Sequence, residues 1–337
     1  MERTAPPYTA DLSNSVQTDP PPVNRRFECN DVDSLAEWTS GWSVQLQLDQ
    51  LSPGAFHGKL HEVRFDDLQL LRERANRALL KRGSASSHRT SFSIPLATVG
   101  AGYCGGALLP AKTLLVSNST TLPELRTPGE YDTAILTVLT QTLQALASID
   151  ELTDRQILSN DACLLALPES HYERLRAFLT ATFNEIGAAE SLLAWLPARK
   201  ALHDTLLLEL TSALSDTTES IRLAHTARRR IVDRVRELVI ETPDVPFTVL
   251  DICRVVGTSR RKLQYCFEEI LGTHPAYYLR VVRLNAVRRT LREHSPATAS
   301  VSDVAFQWGF WHLSRFATHY RQLFGELPSD TLRRPPP

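Results

Sequence analysis

Two groups of side chains in the last third of the chain could read nucleic-acid bases. The first group is Arg260, Arg261, Gln264 and Tyr265, and the second is His312, Leu313, Ser314, Arg315 and Thr318. Arginine and glutamine can each form two hydrogen bonds with the major-groove edges of guanine and adenine, and leucine can contact a thymine methyl group. Side chains three and four residues apart share one face of a helix. We therefore expect each group to face DNA from one side of a helix.

The two groups occupy equivalent places in an internal repeat that covers residues 249–275 and 301–328. The matched positions are Asp251 with Asp303 and Gly257 with Gly309 at an offset of 52, then Leu263 with Phe316, Phe267 with Tyr320 and Gly272 with Gly325 at an offset of 53. Each copy has a short helix, a turn at glycine and a second helix closed by glycine, which is typical of a helix-turn-helix unit. Two copies on one chain predict a protein that reads two successive major grooves.

The elements that must position these side chains are also indicated by the sequence. Ser259 is the expected N-cap of the first recognition helix, whose buried face would carry Leu263, Phe267 and Ile270. Residues 220–241 are predicted to form one helix before the first copy. Residues 276–292 are predicted to form a linker helix about 26 Å long, which could hold the two recognition helices about one DNA turn apart. The arginines of this basic linker are Arg280, Arg283, Arg288, Arg289 and Arg292.

Positive charge is concentrated at the C-terminal end. The 337 residues include 37 Lys+Arg and 38 Asp+Glu, a net charge of −1. Residues 221–337 contain 19 Lys+Arg and 11 Asp+Glu, which leaves 18 and 27 for residues 1–220. The two parts therefore carry net charges of +8 and −9. A basic region joined to an acidic body is typical of a nucleic-acid-binding module attached to another domain.

The region before the repeat has the pattern of a β domain followed by helices. Val44, Leu46 and Leu48 alternate with polar residues, and similar strands recur as far as residue 149. Residues 168–214 predict amphipathic helices, which could pack on the strands or form the seam of a homodimer. The expected fold class is α+β. An antiparallel β barrel or sandwich with packing helices would cover 27–215, and an all-α domain with two helix-turn-helix motifs would cover 220–334.

Several sequence features exclude other classes of protein. The five cysteines, at positions 29, 104, 163, 253 and 266, form no CxxC pair and no zinc spacing, which fits reduced thiols in a cytoplasmic protein. Residues 1–26 are rich in Pro, Ser and Thr and lack the apolar segment of a signal peptide, so we expect a disordered leader. No apolar run is long enough to span a membrane.

Two further patterns do not indicate a cofactor or a metal. Residues 100–105 match GxGxxG, but Pro110 and a strand-like segment follow, whereas a dinucleotide site requires a helix there. We interpret these glycines as a hairpin between strands. His57 and His61 share one face of a strand beside Glu62, but the third ligand of a metal site is missing. We therefore expect no metal and no required cofactor.

Motif residues in the C-terminal third define a family resemblance. They are the Gly-Thr-Ser turn at 257–259, Leu263, Phe267, the Arg283-Leu284-Asn285 and Arg288-Arg289 run, Gly309-Phe310, Phe316, Tyr320, Phe324-Gly325 and Pro328. Over about residues 227–334 the chain resembles the AraC family of bacterial transcription regulators. Residues 308–332, and more loosely 51–60, are similar to the subgroup that includes the ethanolamine-operon regulator.

The resemblance implies an N-terminal domain that binds a small-molecule effector and a C-terminal domain that binds double-stranded promoter DNA and activates transcription by contacting RNA polymerase. The subgroup implies ethanolamine with a cobalamin as the effector pair. The family's base-reading positions fall on Arg261, Gln264, Tyr265, Leu313, Ser314, Arg315 and Thr318. Tyr265 and Thr318 stand where many members have arginine, so we expect a different base preference. Candidates for the effector pocket are Trp42, Phe56, His57 and Tyr103.

Two other classes of protein share such a reader domain. DNA-repair methyltransferases of this kind need clustered cysteines, and the cysteines here are scattered. An architectural DNA-binding protein without an effector is the remaining alternative, although an acidic region of this size is more than it would need. We expect an effector-responsive regulator without enzymatic activity.

Overall fold

The structure is a computed structural model that describes residues 22–40, 44–85, 88–110, 112–118, 120–149, 162–188, 193–215, 219–223, 226–242 and 245–334. The strands are β1 (Val23–Cys29), β2 (Val44–Gln50), β3 (Gly58–Phe65), β4 (Leu68–Ala75), β5 (Leu79–Ala85), β6 (Arg89–Val99), β7 (Gly102–Cys104), β8 (Ala107–Leu109), β9 (Thr113–Ser117), β10 (Thr121–Arg126), β11 (Glu130–Leu139), β12 (Cys163–Ala166) and β13 (Glu219–Arg222). They form two antiparallel sheets. The large sheet has the order β1-β3-β4-β11-β6-β9-β12-β13, and the small sheet has the order β2-β5-β10-β7-β8.

The two sheets pack face to face as an open sandwich. Leu48 and Leu79 of the small sheet share one buried cluster with Leu60 and Leu71 of the large sheet. The closed barrel that the sequence allowed does not form among the described strands, because β1 and β2 lie at the edges of separate sheets. Helix α1 (Val32–Ser40) connects these two edge strands.

Helices cover the outer face of the large sheet. They are α2 (Thr140–Ile149), α3 (Glu169–Ala188) and α4 (Leu196–Ser215). Leu175 and Leu179 of α3, with Leu210 of α4, share a buried cluster with Phe92 and Leu136 of the sheet. These amphipathic helices therefore use their apolar faces to cover the sheet.

The C-terminal region is entirely helical. Its helices are α5 (Ala227–Glu241), α6 (Val249–Val256), α7 (Arg260–Leu271), α8 (Pro275–Glu293), α9 (Val301–Gln307), α10 (Leu313–Phe324) and α11 (Pro328–Arg333). The predicted helix over 220–241 is wrong in its first part. Residues 219–222 form β13, which pairs with β12 in the large sheet, and α5 begins only after its N-cap Thr226. A non-local strand pairing thus overrides the local helical pattern.

Candidate nucleic-acid interface

The first helical hairpin is fixed by capping at each turn. The side chain of Thr248 accepts from the Asp251 N–H and the Asp251 carboxylate accepts from the Thr248 N–H, which forms a capping box at the start of α6. Gly257 ends α6 in the left-handed conformation with φ of 68°. Ser259 then caps α7 by accepting from the Lys262 N–H at 3.2 Å, as the sequence predicts.

Helix α7 separates a buried face from an exposed one. Leu263 and Phe267 are fully buried, while Arg260 and Arg261 are exposed and Tyr265 is 53% exposed. The Arg261 guanidinium lies 5.6 Å from the centre of the Tyr265 ring and donates to its hydroxyl at 3.3 Å. A cation–π contact of this kind restricts the guanidinium before any ligand arrives. Arg261 is thus held on the exposed face of α7.

Gln264 has competing partners within the chain. Its side-chain amide is half-buried, donates to Glu268 Oε1 at 2.8 Å and lies 2.9 Å from His274 Nδ1. Bidentate contact with adenine would require the amide to release at least one of these partners.

The second hairpin repeats this arrangement with one difference. Ser300 caps α9 by accepting from the Asp303 N–H at 3.1 Å, and Phe316 and Tyr320 bury the inner face of α10. All five predicted reading residues of this copy, His312 to Arg315 with Thr318, are exposed. His312 stands at the N-cap of α10 but makes no side-chain capping bond. The start of α10 therefore leaves N–H groups available to an outside acceptor.

An exposed aromatic pair lies beside this helix start. The rings of Phe306 and Trp311 stack with centroids 5.7 Å apart, and Trp311 is 62% exposed. The sequence reasoning did not select either residue. The signal that could have identified this pair is a tryptophan in the loop before a predicted recognition helix.

The arginines of the linker helix α8 are not all free for DNA. Arg288 is buried and pairs with Asp31 at 2.7 Å, Arg289 pairs with the fully buried Asp49 at 2.8 Å, and Arg292 pairs with Asp31. The expectation of a basic linker is therefore corrected, because acidic residues of the N-terminal domain neutralise three of its five arginines.

The predicted effector residues do not come together in one cavity. Phe56 is buried in the cluster between the sheets, and His57 is exposed at a surface groove beside Asn30. Tyr103 lies against the Arg126 guanidinium, 5.2 Å from ring centre to Cζ, on the side of the small sheet that faces α7. Trp42 lies outside the described residues.

A cleft between the two sheets is a better candidate for a ligand site. It encloses about 1010 Å³ including its open mouth, and its apolar walls include Leu46, Leu71 and Ile135. Lys81 and Glu73 form a buried ion pair within it. Burial and the neighbouring carboxylate raise the pKa of Tyr131, whose neutral hydroxyl donates to Glu73. An apolar space with a few fixed polar groups is typical of a small-molecule site.

The described residues contain no group of three or more His, Cys, Asp or Glu placed to hold a metal ion. Their helices include none that is long and apolar enough to cross a membrane.

Comparison with known proteins identifies the C-terminal helices. The family model of a helix-turn-helix domain matches residues 252–334, from the first hairpin to the end of α11. Over 91 residues the chain is 43% identical to a probable thc operon regulatory protein of Rhodococcus erythropolis, and over 102 residues it is 46% identical to XylDLEGF operon transcriptional activator 3 of Pseudomonas putida. Residues 252–334 therefore match a helix-turn-helix domain, and the two relatives that match this region are named as regulators of operons.

The likeness outside this domain is weak. The matches span 27% and 31% of the length of these two relatives. The alignment with the crystal structure of the AraC-like transcriptional activator CuxR covers 83% of this chain and 99% of the CuxR chain. The sequence identity is 14% and the TM-score is 0.40. ToxT of Vibrio cholerae O395 covers 86% of this chain with a TM-score of 0.29. The matches do not support the ethanolamine-operon subgroup.

Proposed function

We propose that this protein is a sequence-specific transcription regulator whose two helical hairpins read two successive major grooves of promoter DNA. The proposal rests on one feature that α7 and α10 share, which is that each helix has one buried face and one exposed face. In both helices the apolar face is buried, while the predicted reading residues at the N-terminal half, except the half-buried Gln264, stay exposed in the full chain. The N-terminal residues of a recognition helix are those that contact base edges in helix-turn-helix proteins.

The relatives favour activation as the direction of regulation. Several are named as activators of an operon in Pseudomonas putida, and the likeness lies in the DNA-binding domain. We propose that the bound regulator contacts RNA polymerase. A homodimer is compatible with this function but not required by it, because one chain carries both hairpins.

Binding of the full chain to DNA tests this function. DNA from upstream of its own and neighbouring genes would be compared with random DNA across a salt series. A preference of roughly a thousandfold for one site would support a sequence reader. Equal and steeply salt-dependent binding to all DNA would instead favour the architectural alternative, and no binding to any DNA would contradict both.

We further propose that the cleft between the sheets binds the effector. Its mostly apolar walls favour a compact, largely apolar molecule with a polar group near Lys81 and Glu73. A ligand that binds only the folded state raises the free energy of unfolding and therefore the melting temperature. At a ligand concentration a hundredfold above the Kd, the free energy of unfolding rises by about 2.7 kcal/mol. A thermal-shift screen should include ethanolamine with a cobalamin, since the resemblance implies that pair. Stabilisation that persists in the cavity-filling variant Ser93→Leu would place the ligand elsewhere.

A further inference from the structure

Both recognition helices end against the N-terminal domain. We propose that part of this domain acts as a brace, which we define as residues Gln50–Ala55 with Tyr103 and Arg126. The brace holds the C-terminal ends of α7 and α10 and so fixes their relative orientation. The inference rests on the proposed function, and it assigns positioning roles to Gln50 and Arg126. Neither residue would touch DNA, since each acts through a recognition helix.

The end of α7 is held by the small sheet. Arg126 of β10 donates to the carbonyl oxygen of Leu271, the last residue of α7. The carbonyl groups at a helix C-terminus lack partners within the helix and carry partial negative charge, so a guanidinium there both completes a hydrogen bond and complements the helix dipole. Tyr103 stacks on the same guanidinium and restricts it.

The end of α10 is held by the loop that follows β2. The Gln50 side chain donates to the carbonyl oxygen of Leu323 at 2.6 Å, and the Gly54 N–H donates to Gln322 O at 2.9 Å. The same Gln50 amide also donates to Gly54 O at 2.6 Å, which fixes the loop itself. The turn at residues 52–54 therefore supplies the missing partners for the last turn of α10.

The glycines that close the two helices are equivalent in the repeat, and both are in close contact with the brace. Gly272 has φ of 56°, and a Cβ there would lie 2.7 Å from the Tyr103 ring and against Arg126. Gly325 has φ of 76°, and a Cβ there would lie 3.0 Å from the backbone of Ala55. Gly257 has the same left-handed conformation with no atom within 4 Å of such a Cβ. Gly272 and Gly325 are therefore both in close contact with the brace, whereas Gly257 is a left-handed glycine with open space around it.

The brace adds a constraint that the linker helix cannot supply alone. Helix α8 joins the two hairpins and packs with both in one buried cluster, but apolar packing of this kind is less directional than hydrogen bonds. Contacts from one sheet to the ends of α7 and α10 limit rotation of the hairpins. The brace does not occlude the reading residues, because they lie in the opposite, N-terminal halves of the two helices and all but the half-buried Gln264 are exposed.

The test measures how strictly the full chain selects the spacing between its two half-sites. One inserted base pair moves a half-site by about 3.4 Å and rotates it around the duplex axis. We expect the wild type to lose at least about tenfold in affinity on that insertion, comparable to one mismatched base pair. For the double variant Gln50→Ala/Arg126→Gln, we expect the same insertion to lower the affinity by less than about threefold. The affinity of this variant for an isolated half-site should equal that of the wild type.

Three further variants distinguish the brace from a merely structural effect. Arg72→Gln removes another partly buried arginine of the N-terminal domain, whose partner is Asp132 at 2.8 Å and which contacts neither recognition helix. Gly272→Ala and Gly257→Ala carry the same backbone strain, but only the first inserts a Cβ against the brace. The brace would be overturned if the folded double variant kept the full loss of affinity on insertion of one base pair. It would also be overturned if Arg72→Gln reduced that loss by the same amount.

Hydrogen exchange of the full chain separates this inference from the proposed function. Faster exchange confined to the last turns of α7 and α10 in the double variant would support the brace even if no specific DNA site were found. Unchanged exchange at both helix ends would refute the brace while leaving sequence-specific binding intact.

Discussion

At the scale of single residues, Arg261 is an exposed predicted reader that a neighbouring side chain restricts before DNA binds. Its contact with Tyr265 places the guanidinium on the exposed face of α7, in the first turns of the helix. A restricted side chain loses less conformational entropy when it forms paired hydrogen bonds with guanine. Tyr265 can therefore support base reading without contacting a base.

We predict that Arg261→Ala lowers specific affinity by about 1–3 kcal/mol and relaxes the preference at one base pair. The measurement is a competition assay with the specific site and its single-base variants. Arg230→Ala, which removes an exposed arginine of α5 outside the recognition helix, is the matched control. Equal losses on specific and random DNA would show that Arg261 contacts phosphate and not a base.

His61 on β3 makes the stability of the N-terminal domain depend on pH. Burial, together with nearby arginines, lowers the pKa of His61 to about 4. Because the unfolded chain has the higher pKa, it binds more protons between about pH 6.5 and 4, so stability is full above this window and falls as the pH drops through it. The ring packs on Phe183 at 5.3 Å, and its Nε2 lies 2.8 Å from Asn24 Oδ1.

We predict that His61→Gln reduces the loss of unfolding free energy between pH 7 and pH 4 by about 1–2 kcal/mol, an amount discounted for the partial exposure of the ring. Urea unfolding at a series of pH values measures it. A profile that is identical in His61→Gln would assign the acid sensitivity to other groups.

At the scale of elements, locally determined features were predictable from sequence and non-local ones were not. The glycine turns, the Ser259 cap and the buried positions of α7 follow from short-range periodicity and capping chemistry. The strand at 219–222 could not be predicted, because only its pairing with β12 makes it a strand. The partners of Arg288 and Arg289 could not be predicted for the same reason, because they lie more than 200 residues away in the sequence.

The linker helix α8 and the edge strand β2 are joined by one asparagine. Asn285 is 4% exposed, accepts from the Gln50 N–H at 2.9 Å and donates to Gln50 O at 3.0 Å. Its amide thus satisfies both backbone groups of a residue at the end of an edge strand. A helix side chain here takes the place of a neighbouring strand.

We predict that Asn285→Ala lowers the free energy of unfolding by about 2–4 kcal/mol, since it leaves a buried N–H and a buried carbonyl without partners. Asn76→Ala should cost less, because the two backbone groups that Asn76 bonds, the His57 N–H and the Ala55 carbonyl, lie in less buried places. Denaturant titration of the two variants compares them directly. Similar losses for both would indicate that the contact between α8 and β2 adds little stability.

At the scale of the whole molecule, the small sheet separates the cleft between the sheets from the C-terminal helices by a single layer. Successive side chains of a strand point to opposite faces. In β5, Lys81 faces the cleft, while Leu80 joins the buried core of the C-terminal helices. A ligand that shifts this sheet would therefore act directly on the surface that holds α7, α8 and α10.

The C-terminal helices depend on that surface for their own core. Leu51, Ala78 and Leu80 of the N-terminal domain belong to the same buried cluster as Val282 and Phe267. Burying a leucine side chain contributes about 1.5–3 kcal/mol, so the two leucines alone represent a substantial part of the stability of a small domain. The acidic partners of Arg288, Arg289 and Arg292 are also supplied by the N-terminal domain.

We predict that an isolated fragment of residues 220–337 is less stable than the same region in the full chain by at least about 3 kcal/mol, the sum expected for the lost leucine contacts. The fragment should also bind random DNA with a steeper salt dependence, because arginines freed from their carboxylate partners become available to phosphate. Hydrogen exchange in the core of α8 measures the first effect and a salt titration the second. Equal protection of α8 in fragment and full chain would show that the DNA-binding domain folds independently, and the N-terminal domain would then act on it only through orientation.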